Sequence, residues 1–113
     1  MSDAQRKENI VELLRLLGSE EEQLAYERNV PHVDITVELV SMWFDDFCHG
    51  HAPKADGIFT TEEHAALTHF HEFYDARVDR LPESRGTVRT WLEAPVWREV
   101  MQEARMTLAR MTV

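Results

Sequence analysis

Cysteine, glycine and proline are scarce in this chain of 113 residues, which has one cysteine, four glycines and four prolines. The single cysteine, Cys48, excludes an intrachain disulfide. So few glycines leave no glycine-rich loop to cradle a phosphate, and the Gly-x-Ser-x-Gly pattern of a nucleophile elbow is absent. Nucleotide binding and nucleophilic catalysis therefore lack support in the sequence.

Long hydrophobic runs are also missing. No apolar stretch approaches the roughly 20 residues that cross a bilayer, and the first residues do not combine basic side chains with an apolar run and a cleavage site. We therefore expect a cytoplasmic protein with no membrane partner. The hydrophobic content of 43% is enough for one domain to bury a core without a metal or disulfide.

Basic residues are few in the first two thirds of the chain. Residues 1–76 contain five basic and 16 acidic residues, a balance of −11, whereas residues 77–113 contain seven and five, a balance of +2. The whole chain carries −9. Such a charge repels phosphate backbones, so we expect no nucleic-acid partner and favour a basic protein partner. The alternative that the charge only maintains solubility stays open.

Periodic apolar residues separated by short loops predict an all-α fold, a single-domain helical bundle of about five to six helices over residues 1–113. Ser19 and Thr60, each followed by a glutamate three residues later, predict two helix starts, and Pro95 predicts another. Gly18 is predicted to end the first helix in a left-handed conformation.

Two long helices are predicted in the middle of the chain. The first runs from about Thr36 to Cys48 and the second from Thr60 to about Leu81, where Pro82 ends it. The apolar arc of the first is wide enough to predict a central core helix, and it consists of Val37, Leu39, Val40, Trp43, Phe44 and Phe47.

Asp46 lies at the border of the apolar and polar faces of the first of these helices. It is expected to need a partner, because an unpaired carboxylate there is costly. Arg77, which projects into the middle of the apolar arc of the second helix, is the hypothesised partner, and the alternative is that Arg77 reaches the edge of that arc or pairs with groups near Glu63. Cys48 has no catalytic signature around it and is predicted to be a buried, inert thiol.

Histidines and acids near the end of the central helix suggest a metal site as an alternative. Asp45 and His49, four residues apart, share a helical face, and further histidines follow. Zinc or another divalent cation accepts such a set, whose members are Asp45, His49, His51 and His64. Solvated histidines at a polar helix end are the competing interpretation.

Acidic side chains on the outer faces of the two central helices are the predicted partner-binding residues. They are Glu38, Asp45, Glu72, Asp75 and Asp79. Complementary fields accelerate encounter with a cationic partner and select it. A merely solvated face is the alternative. No cofactor and no catalytic residue are predicted.

Three segments together resemble small acidic α-helical bacterial proteins of uncharacterised or toxin-immunity type: residues 30–34, residues 38–46 and residues 59–67. The resemblance covers about a third of the chain. It implies a single-domain inhibitor that binds a cognate toxin and masks its active site. A metal-binding protein and a homodimer formed through spare apolar surface of the third or last helix are the other hypotheses.

Overall fold

The computed structural model describes residues 2–50, 52–53, 57–82 and 87–111, and these residues form helices and loops with no strand. The helices are α1 (Asp3–Gly18), α2 (Glu20–Asn29), α3 (Ile35–Ser41), a π segment (Met42–Phe47), α4 (Thr61–Asp75), a 3₁₀ turn (Val78–Arg80), α5 (Val88–Leu92) and α6 (Pro95–Ala109). The all-α helical bundle is thereby confirmed. Among the described helices, none has both the length and the apolar character needed to span a bilayer.

Side-chain caps begin the helices where the sequence predicts them. The Ser19 hydroxyl accepts a hydrogen bond from the Glu22 backbone N–H at 3.1 Å. At Thr60 the exchange is reciprocal, since its hydroxyl accepts from the Glu63 N–H at 3.1 Å and its own N–H donates to Glu63 Oε1 at 2.9 Å. Pro95 occupies the first turn of α6, where a missing N–H leaves no helical bond unmade.

Aromatic rings cross the core from α5 to the π segment. Ring centroids lie 4.8 Å apart for Trp91 and Trp97, and 6.0 Å apart for Trp97 and Tyr74. The distance is 5.7 Å for Tyr74 and Phe70, and 4.7 Å for Phe70 and Trp43. All five side chains are buried, so aromatic contacts supply a large share of the apolar area that stabilises the bundle.

Gly18 differs from its prediction. It lies inside α1 as its last residue and does not have a positive φ. A Cβ atom at this position would lie 2.8 Å from Arg105 Cγ and 3.4 Å from the Arg105 backbone nitrogen. Glycine is needed because α6 approaches α1 closely here, and Arg105 Nη1 donates to the Gly18 carbonyl at 2.7 Å.

The fourth helix is shorter than predicted. It ends at Asp75 rather than near Leu81, and the chain continues into the 3₁₀ turn. The Arg77 N–H bonds to the Tyr74 carbonyl, which leaves the Phe73 carbonyl without its usual helical partner. Arg77 Nη1 donates to that carbonyl at 3.2 Å, and the guanidinium lies 3.5 Å from the centroid of the Phe73 ring. The side chain of Arg77 therefore closes the helix before Pro82 is reached.

Candidate functional site

The central helix changes type halfway along its length. It begins as α3, with the Asp34 carboxylate accepting from the Thr36 N–H at 3.1 Å, and continues as the π segment. Single π-helical turns within α-helices are frequent at functional sites. After the π segment the chain turns at His49 and Gly50, whose φ angles of 49° and 82° lie in the left-handed region.

The inner side of the π segment packs against α4. Trp43 is fully buried, and its Nε1–H donates to Nδ1 of His71 at 3.1 Å. Since Nδ1 accepts this bond, His71 carries its proton on Nε2. The Tyr74 hydroxyl donates to the Leu39 carbonyl at 3.1 Å. Leu39, which precedes Trp43, thus lies beside the end of α4, whereas Trp43 lies beside the earlier His71. The two helices therefore run antiparallel.

Cys48 is buried as predicted, and its Sγ lies 3.7 Å from Nδ1 of His71. Burial raises the pKa of the Cys48 thiol from its ordinary value of 9.0 to about 12. The raised pKa keeps the sulfur protonated at neutral pH, and the thiolate is the form that reacts. This geometry does not activate a nucleophile.

We expect Cys48 to react with iodoacetamide at about pH 8 about a hundredfold or more slowly in the folded chain than in urea. Because folding raises the pKa of Cys48 above 9.0, its contribution to stability is complete below about pH 9 and decreases as the pH rises toward 12. Mass spectrometry of timed samples measures the rates, with Cys48→Ser as the unlabelled control. Equal rates in the folded and unfolded chain would contradict the burial argument.

Two of the predicted metal ligands, Asp45 and His64, have other bonding partners. Asp45 Oδ2 accepts from the Ser41 hydroxyl at 3.1 Å, and His64 Nε2 lies 2.9 Å from the Pro53 carbonyl, to which only an N–H can bond. Over the described ranges, no group of three His, Cys, Asp or Glu side chains could hold a metal ion. His51 lies outside those ranges, so the four-residue site with Asp45, His49 and His64 stays a prediction.

The five predicted partner-binding acids lie on the outer sides of the central helix and α4 and on the 3₁₀ turn. We call them the acidic face: Glu38, Asp45, Glu72, Asp75 and Asp79. Four are exposed and Glu38 is half-buried. Within the described chain, none of them forms an ion pair. Apart from the hydrogen bond that Asp45 accepts from Ser41, these carboxylates make no side-chain bond that would hold the described fold together.

Two of these acids lie where a helix disfavours them. Glu72 and Asp75 are in the last turn of α4, which contains no basic residue. The partial negative charge of a helix C-terminus repels carboxylates there, at a cost of about 0.3–1 kcal/mol each. Their position thus opposes the stability of α4.

A groove lies on the other side of the π segment, between it and α1. Its volume is about 630 Å³, within the range of about 300–1,000 Å³ that is typical of binding sites. We call it the α1 groove. Its apolar surface is formed by Ile10, Leu13, Leu16, Met42 and Phe47, and its polar edge by Arg6, Asn9, Glu12, Asp46 and His49.

No family model, curated protein or solved structure matches the chain. The likeness to immunity-type proteins therefore stays a prediction from the sequence.

The hypothesised bridge between Asp46 and Arg77 is wrong. Asp46 is exposed at the edge of the α1 groove. Arg77 instead faces Glu99 of α6, with Nε and Oε2 separated by 3.5 Å, which is an ion-pair distance without hydrogen-bond geometry. Asp46 needs no buried partner because water solvates its carboxylate.

Two parts of the site were missed by sequence reasoning. Sequence reasoning assigned His71 no part in the site, although its position four residues after Leu67 and three before Tyr74 places it at the border of the buried face. The α1 groove was also missed. One of its walls is α1, and the apolar periodicity of α1 alone does not identify which helix lies beside it.

Proposed function

We propose that this chain is a non-enzymatic binding protein that recognises a basic protein partner through the acidic face. In this proposal it acts in the bacterial cytoplasm as an immunity-type inhibitor of a toxin. The observation that carries the proposal is the pair Glu72 and Asp75, two exposed carboxylates without an ion pair in a helix turn that disfavours them. A charge that lowers the stability of a helix is explained if it serves a function such as binding a partner.

Electrostatics supply the mechanism of recognition. The acidic face lies on neighbouring antiparallel helices, so its charges act together on an approaching cation. Complementary charge raises the association rate and rejects anionic competitors. An inhibitor that covers the cationic groove of a toxin needs no catalytic residue, and bound carboxylates would occupy the positions of the toxin's anionic substrate.

The test compares capture by two immobilised variants that carry the same net charge. Glu72→Lys/Asp75→Lys reverses two charges of the acidic face, and Glu8→Lys/Glu93→Lys reverses two exposed acids elsewhere. We expect the wild type and the control variant to retain a basic protein from a lysate of the source organism. The Glu72→Lys/Asp75→Lys variant should bind this protein at least about tenfold more weakly, which corresponds to a loss of about 1.4 kcal/mol or more in binding free energy.

Salt and stability measurements complete this test. Raising the salt from about 0.15 M to 1 M should release the partner, because screening shortens the Debye length to about 3 Å. The Glu72→Lys/Asp75→Lys variant should also unfold at a higher temperature than the wild type, since lysines suit the end of α4. Capture that is equal for all three proteins, or insensitive to salt, would rule the proposal out.

A further inference from the structure

The α1 groove presents an apolar surface that the rest of the described chain leaves open. Leu13 and Leu16 of α1 and Met42 and Phe47 of the π segment are half-buried, while Ile10 beneath them is 1% exposed. The ring of Phe47 lies 5.1 Å from that of Trp43. The floor of the groove is therefore anchored in the core, and its outer side chains are available for contact.

The length of the groove matches a short helix. Its lining runs along α1 from Arg6 to Leu16, which at 1.5 Å per residue is about 15 Å, or nearly three turns. The facing wall is formed by Met42, Asp46, Phe47 and His49. A groove lined by nearly three turns of α1 fits the apolar stripe of a further helix, whose anchors recur at i, i+3 or i+4, and i+7.

The charges at the groove's edge are mainly acidic. Glu12 on α1 and Asp46 on the π segment are exposed on opposite walls, and neither forms an ion pair within the described residues. Arg6 is the cationic lining residue. Asp46 also follows Asp45 of the acidic face directly in sequence, so the two carboxylates leave neighbouring sides of the π segment. The groove and the acidic face thus adjoin along the outer side of the π segment.

We infer that the α1 groove binds an amphipathic helix of the protein partner, with the apolar stripe of that helix against Leu13, Leu16 and Met42 and its basic flanks beside Glu12 and Asp46. This inference rests on the proposed function, because it names the element by which the basic partner docks. The acidic face attracts the partner, and the groove holds its helix in register.

The probe is a fluorescent peptide of about 18 residues that contains only leucine and lysine, with leucines at helical spacing on one face. A peptide of the same composition in scrambled order has equal charge but no continuous stripe. Fluorescence anisotropy measures the dissociation constant of each. We expect the wild-type chain to bind the striped peptide with a dissociation constant at least about tenfold lower than that of the scrambled peptide.

A pair of matched variants locates the binding. Met42→Lys places a charge on the apolar wall of the groove, and Met106→Lys makes the same change on an exposed methionine of α6. Met42→Lys should weaken striped-peptide binding about tenfold or more, whereas Met106→Lys should leave it unchanged. Circular dichroism checks that both variants fold, and Leu13→Gln provides a second groove variant if Met42→Lys unfolds.

The outcomes separate this inference from the proposed function. Equal affinity for the two peptides, or unchanged binding by the groove variants, would overturn the groove inference. If Glu72→Lys/Asp75→Lys nevertheless loses the captured basic protein, the acidic-face proposal stands without the groove. If sedimentation shows that the wild type self-associates and Met42→Lys does not, the groove holds a second copy of the chain and the inference is wrong.

Discussion

Replacing Trp43 with alanine is expected to lower the free energy of unfolding by about 3–5 kcal/mol, the range for removing a large aromatic side chain from a core. Trp43 is fully buried, and its ring packs edge-on against Phe70 with centroids 4.7 Å apart. The substitution removes this contact and the hydrogen bond to His71. Urea unfolding followed by circular dichroism measures the change in free energy.

The control for this prediction is Trp43→Phe. It keeps a ring against Phe70 and removes the indole N–H, so we expect a loss of only about 1–2 kcal/mol. The Cys48 thiol, 3.7 Å from Nδ1 of His71, offers a weak replacement donor. If phenylalanine were as costly as alanine, the hydrogen bond and not the packing would dominate, and our account of the π segment's inner side would be wrong.

Replacing Gln23 with leucine is expected to lower the free energy of unfolding by about 2–4 kcal/mol, because it leaves buried polar groups without partners. Gln23 is fully buried in α2. Its Nε2 donates to the carbonyls of Leu16 and Leu17, both at 3.1 Å, and its Oε1 accepts from Trp97 Nε1 at 3.0 Å. One side chain thus joins the end of α1 to α6.

A double-mutant cycle tests whether these bonds cause the loss. Trp97→Phe removes the N–H that Gln23→Leu would leave unpaired, so the double variant should lose less than the sum of the two single losses. We expect the difference to be about 0.5–3 kcal/mol. Additive losses would show that the Gln23 amide and the Trp97 indole are not coupled. Thermal and urea unfolding of all four proteins provide the measurement.

Both residues also support the walls of the α1 groove. Trp43 ties the π segment to α4 through His71, and Gln23 ties the last turn of α1 to α6 through Trp97. Arg105 adds a bond to the Gly18 carbonyl at 2.7 Å. A groove whose two walls are anchored separately in the core is formed before its ligand arrives, which reduces the ordering cost of binding.

Much of the fold could be predicted from local sequence because the forces involved act within one or two turns. The caps at Ser19 and Thr60 bond to backbone groups three residues away, so their spacing alone identifies the helix starts. The wide apolar arc of the central helix correctly placed Trp43 in the core. The exposure of Asp45, Glu72, Asp75 and Asp79 could also be predicted, since their helical phase places them away from the apolar arcs of their predicted helices.

Other features depend on partners that are distant in the chain. The Gly18 position was predicted from a capping rule, but its role is set by Arg105, 87 residues later. Arg77 was assigned to Asp46 because Asp46 lies at the border of one apolar arc and Arg77 within another, yet the packing of α4 on α6 places Glu99 next to Arg77. Periodicity assigns a residue to a face, and it does not say which neighbour covers that face.

The amino-acid sequence by itself determined the helical class, the helix starts, the buried aromatics and the distribution of charge, because each follows from side-chain chemistry and helical spacing. Tertiary structure alone decided the π segment, the bond between Trp43 and His71, and the α1 groove. These features arise where elements far apart in sequence meet, and the lowest free energy there depends on the packing of both partners together.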